Sequence, residues 1–256
     1  MIQFFSSEGY SIAYESFGEG PLLVLIHGFA SNGRVNWVET GWVEALVAAG
    51  YAVATIDNRG HGESEKIYDP RAYAPGEMAL DTLNLIGHLR ATRATLVGYS
   101  MGARIAAFAA LKAPETIAAA VFGGLGIRMV DGMADTGAIV EALKAPSLEA
   151  VKDPAGRPYR IFAEHTKSDL KALAACMRSS RQNLTAEQLG RLDMPVLVAV
   201  GSDDMIGGAA EPLARLIPQG EFFVIEGRDH MRSTGDPAFK TAAVEFLGRH
   251  FLGTNR

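Results

Sequence analysis

The sequence predicts an α/β protein: a doubly wound, mostly parallel eight-stranded sheet with a helical cap insertion. Three observations predict it. Six short runs, "LLVLI" (22–26), "AVATI" (52–56), "ATLVG" (94–98), "IAAAVF" (117–122), "VLVAV" (196–200) and "FFVIE" (222–226), are nearly continuous apolar segments. Unbroken apolar strands belong in parallel sheets covered by helices on both faces. Helical stretches alternate with them, at 37–49, 76–90, 101–112, 209–217 and 237–251. One interval, 127–194, breaks that alternation and contains no convincing strand.

The elements follow in order. "IQFFSS" and "SIAYES" alternate in part and flank Glu8-Gly9, so they read as an opening β-hairpin and bring the strand count to eight. The first parallel strand ends at His27-Gly28, in "LIHGFASN", and the next at "DNRGHGES" (57–64). "ATLVG" runs straight into "YSMGARIAAFAALKA", a strand, a sharp turn and a helix with no linker. Within 127–194, "TGAIVEALKA", "YRIFAEHTKSDLKALAACMRSS" and "TAEQLGRL" read as helical, with "DPAGRP" as a turn. The domain reading is therefore a core of 1–126 and 195–256 with a helical insertion at 127–194.

Composition narrows the function. The 256 residues are 48% hydrophobic and 21% charged, ordinary for a globular chain that buries a substantial core. A net charge of −5 without a basic cluster argues against nucleic acid. Cys176 is the single cysteine, and no Cys/His cluster has metal-site spacing, so neither an internal disulfide nor a metal is expected. There is no signal-peptide pattern, and the apolar runs are too short to span a bilayer. The expectation is a cytoplasmic monomer or small homo-oligomer acting on a small molecule without a cofactor.

Gly98-Tyr99-Ser100-Met101-Gly102 has the form G-x-S-x-G, placed between strand and helix. Such a turn projects Ser100 past the carboxyl edge of the sheet and sets the Met101 N–H beside it. A serine hydroxyl needs a base, and the base needs a carboxylate to fix its tautomer. Of six histidines, His230 ranks first, because "GRDH" follows the last strand and can reach over the same edge. The acid belongs on the loop after 196–200, where Asp203 and Asp204 are both within reach. The Phe29 N–H, after His27-Gly28, is the second oxyanion donor beside Met101. "GGLGIRM" misses the dinucleotide spacing, because Met129 stands at the third glycine.

These pieces, "HGF", "DNRGHGES", "GYSMG", "PVLVAVGSDD" and "GRDH", occur in the order of the serine hydrolases of the α/β-hydrolase fold, which the chain resembles from about Leu22 to the last helix, outside most of 127–194. The resemblance implies esterase-like or lipase-like chemistry. Its G-x-x-D spacing after the seventh strand matches Gly201 to Asp204 and favours Asp204 over Asp203. It also implies that Asp57, Arg59 and Ser64 shape a loop, and that 127–194 sits where the family carries its cap. Related dehalogenases and epoxide hydrolases carry aspartate at the nucleophile position, unlike Ser100.

The function expected is hydrolysis of carboxylic esters of small to medium, partly apolar substrates through an acyl-enzyme on Ser100. The pocket wall is expected at Tyr99, Met129 and Met177, with Phe29, Met101, Ile127, Ile139 and Leu143. A C–C bond hydrolase of the same fold is the alternative enzyme. Arg178 and Arg181, as binders of a substrate carboxylate, favour it, and Met231, where such hydrolases carry tryptophan, counts against it. A triad-retaining small-molecule receptor is the alternative outside catalysis.

Overall fold

Chain order and sheet order part company at the third strand, and that reversal positions the site. The computed structural model describes residues 1–132 and 136–250; position 251, the expected end of the last helix, lies outside the described residues. The strands are β1 (Gln3–Ser7), β2 (Tyr10–Phe17), β3 (Leu22–Ile26), β4 (Ala52–Ile56), β5 (Ala94–Tyr99), β6 (Ile117–Gly123), β7 (Val196–Gly201) and β8 (Gly220–Ile225). They lie in one sheet in the order β1-β2-β4-β3-β5-β6-β7-β8. β1 pairs antiparallel with β2, and β2 with β4; every pairing from β4 to β8 is parallel. The chain leaves β3 for β4 on one side, then returns to β5 on the other. That switch opens a crevice at the strands' carboxyl ends.

The continuous apolar runs divide between two cores, as a pleat with side chains alternating between faces requires. Val24, Ile26, Leu96, Phe122 and Val198 face one core with helices α2 (Pro75–His88), α3 (Met101–Lys112) and α9 (Ala210–Ala214). Leu23, Leu25, Val97, Val121 and Leu197 face the other with α1 (Trp42–Ala48) and α10 (Pro237–His250). The 37–49 stretch is not one helix. A π-helical turn, Arg34–Val38, is separated from α1 by Gly41 at φ 78°, a left-handed conformation that ends helical continuity.

Between β6 and β7 lie α4 (Arg128–Asp131), α5 (Gly137–Lys144), α6 (Arg157–His165), α7 (Leu170–Ser179) and α8 (Ala186–Leu189). The long 159–180 stretch is broken: Lys167 takes a positive φ of 53°, and the Asp169 carboxylate accepts the Ala172 N–H at 2.9 Å to start α7 afresh. Thr185 and Gln188 form a capping box on α8. Buried Arg104 on α3 ties this insertion down by donating to the carbonyls of Met129 (3.1 Å), Gln182 (2.7 Å) and Arg128 (3.3 Å). Among the described residues no helix is long and apolar enough to cross a membrane.

Candidate active site

Ser100 stands between β5 and α3 at φ 54°, ψ −110°, an unfavourable conformation for a residue with a Cβ. The turn closes only because its flanking glycines are bare. A Cβ on Gly98 would run into the Gly102 carbonyl, and one on Gly102 into the carbonyl of Ile26 on β3. Close approach of α3 to β3 and β5 therefore sets the serine at the sheet edge, at the start of a helix whose first N–H groups have no intrahelical partner.

Three side chains from three strand ends meet there. His230 Nε2 lies 3.0 Å from Ser100 Oγ, and His230 Nδ1 lies 2.8 Å from Asp204 Oδ2. The other Asp204 oxygen, Oδ1, accepts the N–H groups of Ile206 and Gly207, both at 2.8 Å. With Nδ1–H donated to the carboxylate, Nε2 is left as the acceptor for the Ser100 hydroxyl. Asp203, one residue away, is exposed, and its carboxylate accepts the Ser202 hydroxyl at 2.9 Å. The pair that sequence position barely separated is separated by direction: Asp204 faces inward and Asp203 faces water.

The His230 loop is held from behind. The Tyr99 hydroxyl donates to the His230 carbonyl, and the two rings lie 5.5 Å apart. Burial pushes the Tyr99 phenol well above its ordinary value, so it stays a donor. Asp229 accepts the N–H groups of Met231 (3.1 Å) and Arg232 (2.8 Å), and Asp236 pairs with Arg228 at 2.6 Å.

On the opposite wall, Gly28 approaches the Ser100 Cβ, and its N–H donates to Asn36 Oδ1 at 3.0 Å. Among the described residues neither the Phe29 nor the Met101 N–H has an acceptor. His27 supports this turn: its Nε2 accepts the Asn58 N–H at 3.0 Å, and its Nδ1 donates to the Gly28 carbonyl at 2.7 Å. Full burial lowers the His27 pKa to about 4, so the ring is neutral and structural. The "DNRGHGES" segment braces the same region. Asp57 accepts from Gly33 and Glu63, Ser64 donates to the Asp57 carbonyl at 2.6 Å, and Arg59 makes a buried pair with Asp81 at 2.7 Å.

A cleft of about 640 Å³ opens over Ser100 and His230, a size that suits a small-molecule site. Phe29, Tyr99 and Ile139 line it. Met129 and Met177 do not: both are buried in the core between α3 and the insertion. Leu173 and Met177, one helical turn apart, form the inward stripe of α7. The Met101 side chain also turns away, with its sulfur 3.8 Å from that of Cys176, and neither Ile127 nor Leu143 reaches the lining. The roof instead comes from Tyr159 and Phe162 on α6, which the sequence reading missed although their i, i+3 spacing places both on one face of the helix. Ser31, Asn36, Thr40, Arg181 and Thr234 add polar groups to the lining. Among the described residues no group of three or more His, Cys, Asp or Glu could hold a metal ion.

A family model described as the alpha/beta hydrolase fold matches residues 21–136. That span contains β3 to β6 and the Ser100 turn, with the sheet order above. The chain is an α/β hydrolase by fold. The chain is 28% identical to the non-heme chloroperoxidase CPO-A1 of Kitasatospora aureofaciens, over 94% of its own length and 98% of that protein. It is 35% identical to epoxide hydrolase B of Mycobacterium tuberculosis, but over only 43% of this chain and 31% of the relative. Among solved structures it superposes on a hydrolase from Pseudomonas aeruginosa PA01 with a TM-score of 0.75 and 26% identity, covering 96% of this chain and 98% of the other.

Proposed function

We propose that this α/β hydrolase cleaves carboxylic esters of small to medium, partly apolar substrates through an acyl-enzyme on Ser100, with residues 127–194 acting as its cap. The observation that carries the reading is the continuous hydrogen-bond chain from Ser100 Oγ through His230 to Asp204, set at the floor of an apolar cleft. Nε2 takes the serine proton as Oγ attacks the ester carbonyl, and Asp204 stabilises the imidazolium that forms. The Phe29 and Met101 N–H groups receive the developing oxyanion, and each such donor typically contributes about 3 kcal/mol to the transition state. His230 then returns the proton to the leaving alcohol and draws one from water, which releases the acid and restores Ser100.

The test is Ser100→Ala on p-nitrophenyl butyrate. The expected result is loss of at least about 10³-fold in kcat with an unchanged melting temperature. Near wild-type turnover by the folded variant removes Ser100 from the chemistry. Multiple turnover in the wild type also separates an enzyme from a receptor that keeps the same three residues. The full-length likeness to a chloroperoxidase carries a second reading. Hydrogen peroxide taking the acyl group in place of water would release a peroxyacid and free serine, and the peroxyacid would oxidise halide. Bromide-dependent halogenation of a dye in acetate and peroxide, lost in Ser100→Ala, is its signature.

A further inference from the structure

Three arginines of the insertion, Arg160, Arg178 and Arg181, differ in their situations. Arg178 is exposed to solvent. Arg160 is buried and donates to Glu164 and to the carbonyls of Ala142 and Ala145. Arg181 lines the cleft beside Ser100 and His230, and its guanidinium makes no hydrogen bond and no ion pair among the described residues. Its Nε is buried without a partner, and its terminal carbon lies 5.8 Å from the centre of the Phe29 ring. Among the described residues, the ionisable groups facing it are Tyr159, Cys176 and Arg104, none of them a carboxylate.

Arg181 is half-buried with its Nε shut off from water, and a guanidinium so placed without a counter-charge among the described residues is unfavourable, since buried charges are ordinarily paired and hydrogen-bonded. Arg104, its cationic neighbour, also has a buried Nε without a partner, but its two terminal nitrogens are spent on three backbone carbonyls. Arg181 has no such outlet, yet its several N–H groups, in a planar fork, match one ligand group well: a carboxylate bound through two oxygens. Tyr159 and Phe29 flank it and would shield that pairing from water. Arg178, at the exposed end of α7, offers no comparable site.

We propose that Arg181 is a substrate-binding residue that holds a carboxylate, so that the esters turned over at Ser100 carry a second, ionised carboxyl group in the acyl or the alcohol part. The inference rests on the ester-hydrolase reading and names its substrate class. The experiment compares mono-p-nitrophenyl glutarate with its methyl-capped diester and with p-nitrophenyl butyrate. It also compares the butyrate ester of glycolate with ethyl butyrate, which moves the carboxylate to the alcohol side. In the wild type, capping or deleting the carboxylate lowers kcat/KM by about 30-fold in at least one of the two series, mostly through KM. In Arg181→Met that preference collapses, and in Arg178→Met it stays at the wild-type value.

Equal rates for charged and neutral esters in both series overturn the inference while leaving the ester-hydrolase reading standing. The wild-type comparison needs no variant, so a misfolded Arg181→Met does not decide the matter. Glutarate binding, read as a rise in melting temperature, needs no turnover. A rise that disappears in Arg181→Met, in a protein that cleaves no ester, retains the anion site and rejects the ester reading. Absence of any rise, together with no ester cleavage, overturns both.

Discussion

Asp204→Asn is the most informative single change, because the surrounding amides decide which way the new side chain points. Asp204 Oδ1 is held by two N–H donors, from Ile206 and Gly207, each at 2.8 Å. An asparagine must keep its oxygen there, since an NH₂ group facing two N–H groups brings together four donors and no acceptor. Its nitrogen then faces His230 Nδ1, where the carboxylate oxygen stood 2.8 Å away. Two donors cannot share that contact, so the imidazole shifts to the Nε2–H tautomer. Nε2 then points a proton at Ser100 Oγ, 3.0 Å away, and cannot take one. Serine triads that lose the carboxylate this way fall by about 10⁴ in kcat, or about 5.5 kcal/mol. The assay is kcat on p-nitrophenyl butyrate, with a thermal melt to show that the variant folds. Asp203→Asn is the control, and its exposed carboxylate predicts a change below about twofold. A folded Asp204→Asn within tenfold of wild type, or an equal loss at Asp203, refutes this account of the acid.

Three further outcomes follow from the same geometry. His27 and His61 are buried, with folded pKa values near 4 and near 3 against 6.5 for the free side chain, chiefly through desolvation. Their contribution is complete above pH 6.5 and is lost as pH falls, because the unfolded chain takes protons that the folded one refuses. Each adds a slope of up to about 1.4 kcal/mol per pH unit between roughly pH 6.5 and its folded value, and His61→Gln should remove one of the two slopes in urea titrations run from pH 7 to 4.5. Gly102→Ala drives a methyl group into the Ile26 carbonyl, and backbone on both sides leaves no room to yield; the expected cost is about 3 kcal/mol or more, read as a drop of roughly 6–12 °C in Tm or as failure to fold. Phe162→Ala should move the preferred acyl chain length upward across acetate, butyrate and octanoate esters, whereas Met177→Ala, which changes only buried core, should lower stability by about 2–5 kcal/mol and leave the ratios between esters alone.

What could be read in the sequence divides along physical lines. The parallel strands were legible because burial on both faces leaves no polar alternation: 22–26 and 52–56 have the bounds of β3 and β4. The Ser100 turn was legible because steric need forces glycine at two fixed positions, and His230 because a strand end delivers a loop to the same edge. Asp203 and Asp204 differ by one residue in a loop, and only the resemblance, not the loop's own letters, chose between them. The cleft wall was the least legible part. Apolar residues on a helix such as α7 are needed first for the core, so Met177 looked like lining and is packing, whereas Tyr159 and Phe162 lie on a short helix of mixed polar and apolar residues. Arg104 and Arg181 differ in whether carbonyls surround them, which depends on how α3, α4 and the segment after α7 meet rather than on local sequence.

The central claim is that one side chain, Ser100, becomes covalently attached to the substrate. Reaction of the wild-type protein with a fluorophosphonate, followed by intact-mass and peptide mass spectrometry, tests it most directly. The account predicts a single adduct on Ser100, formed in step with loss of esterase activity and absent from Ser100→Ala. An adduct on another residue, or full modification of Ser100 with turnover intact, would contradict it.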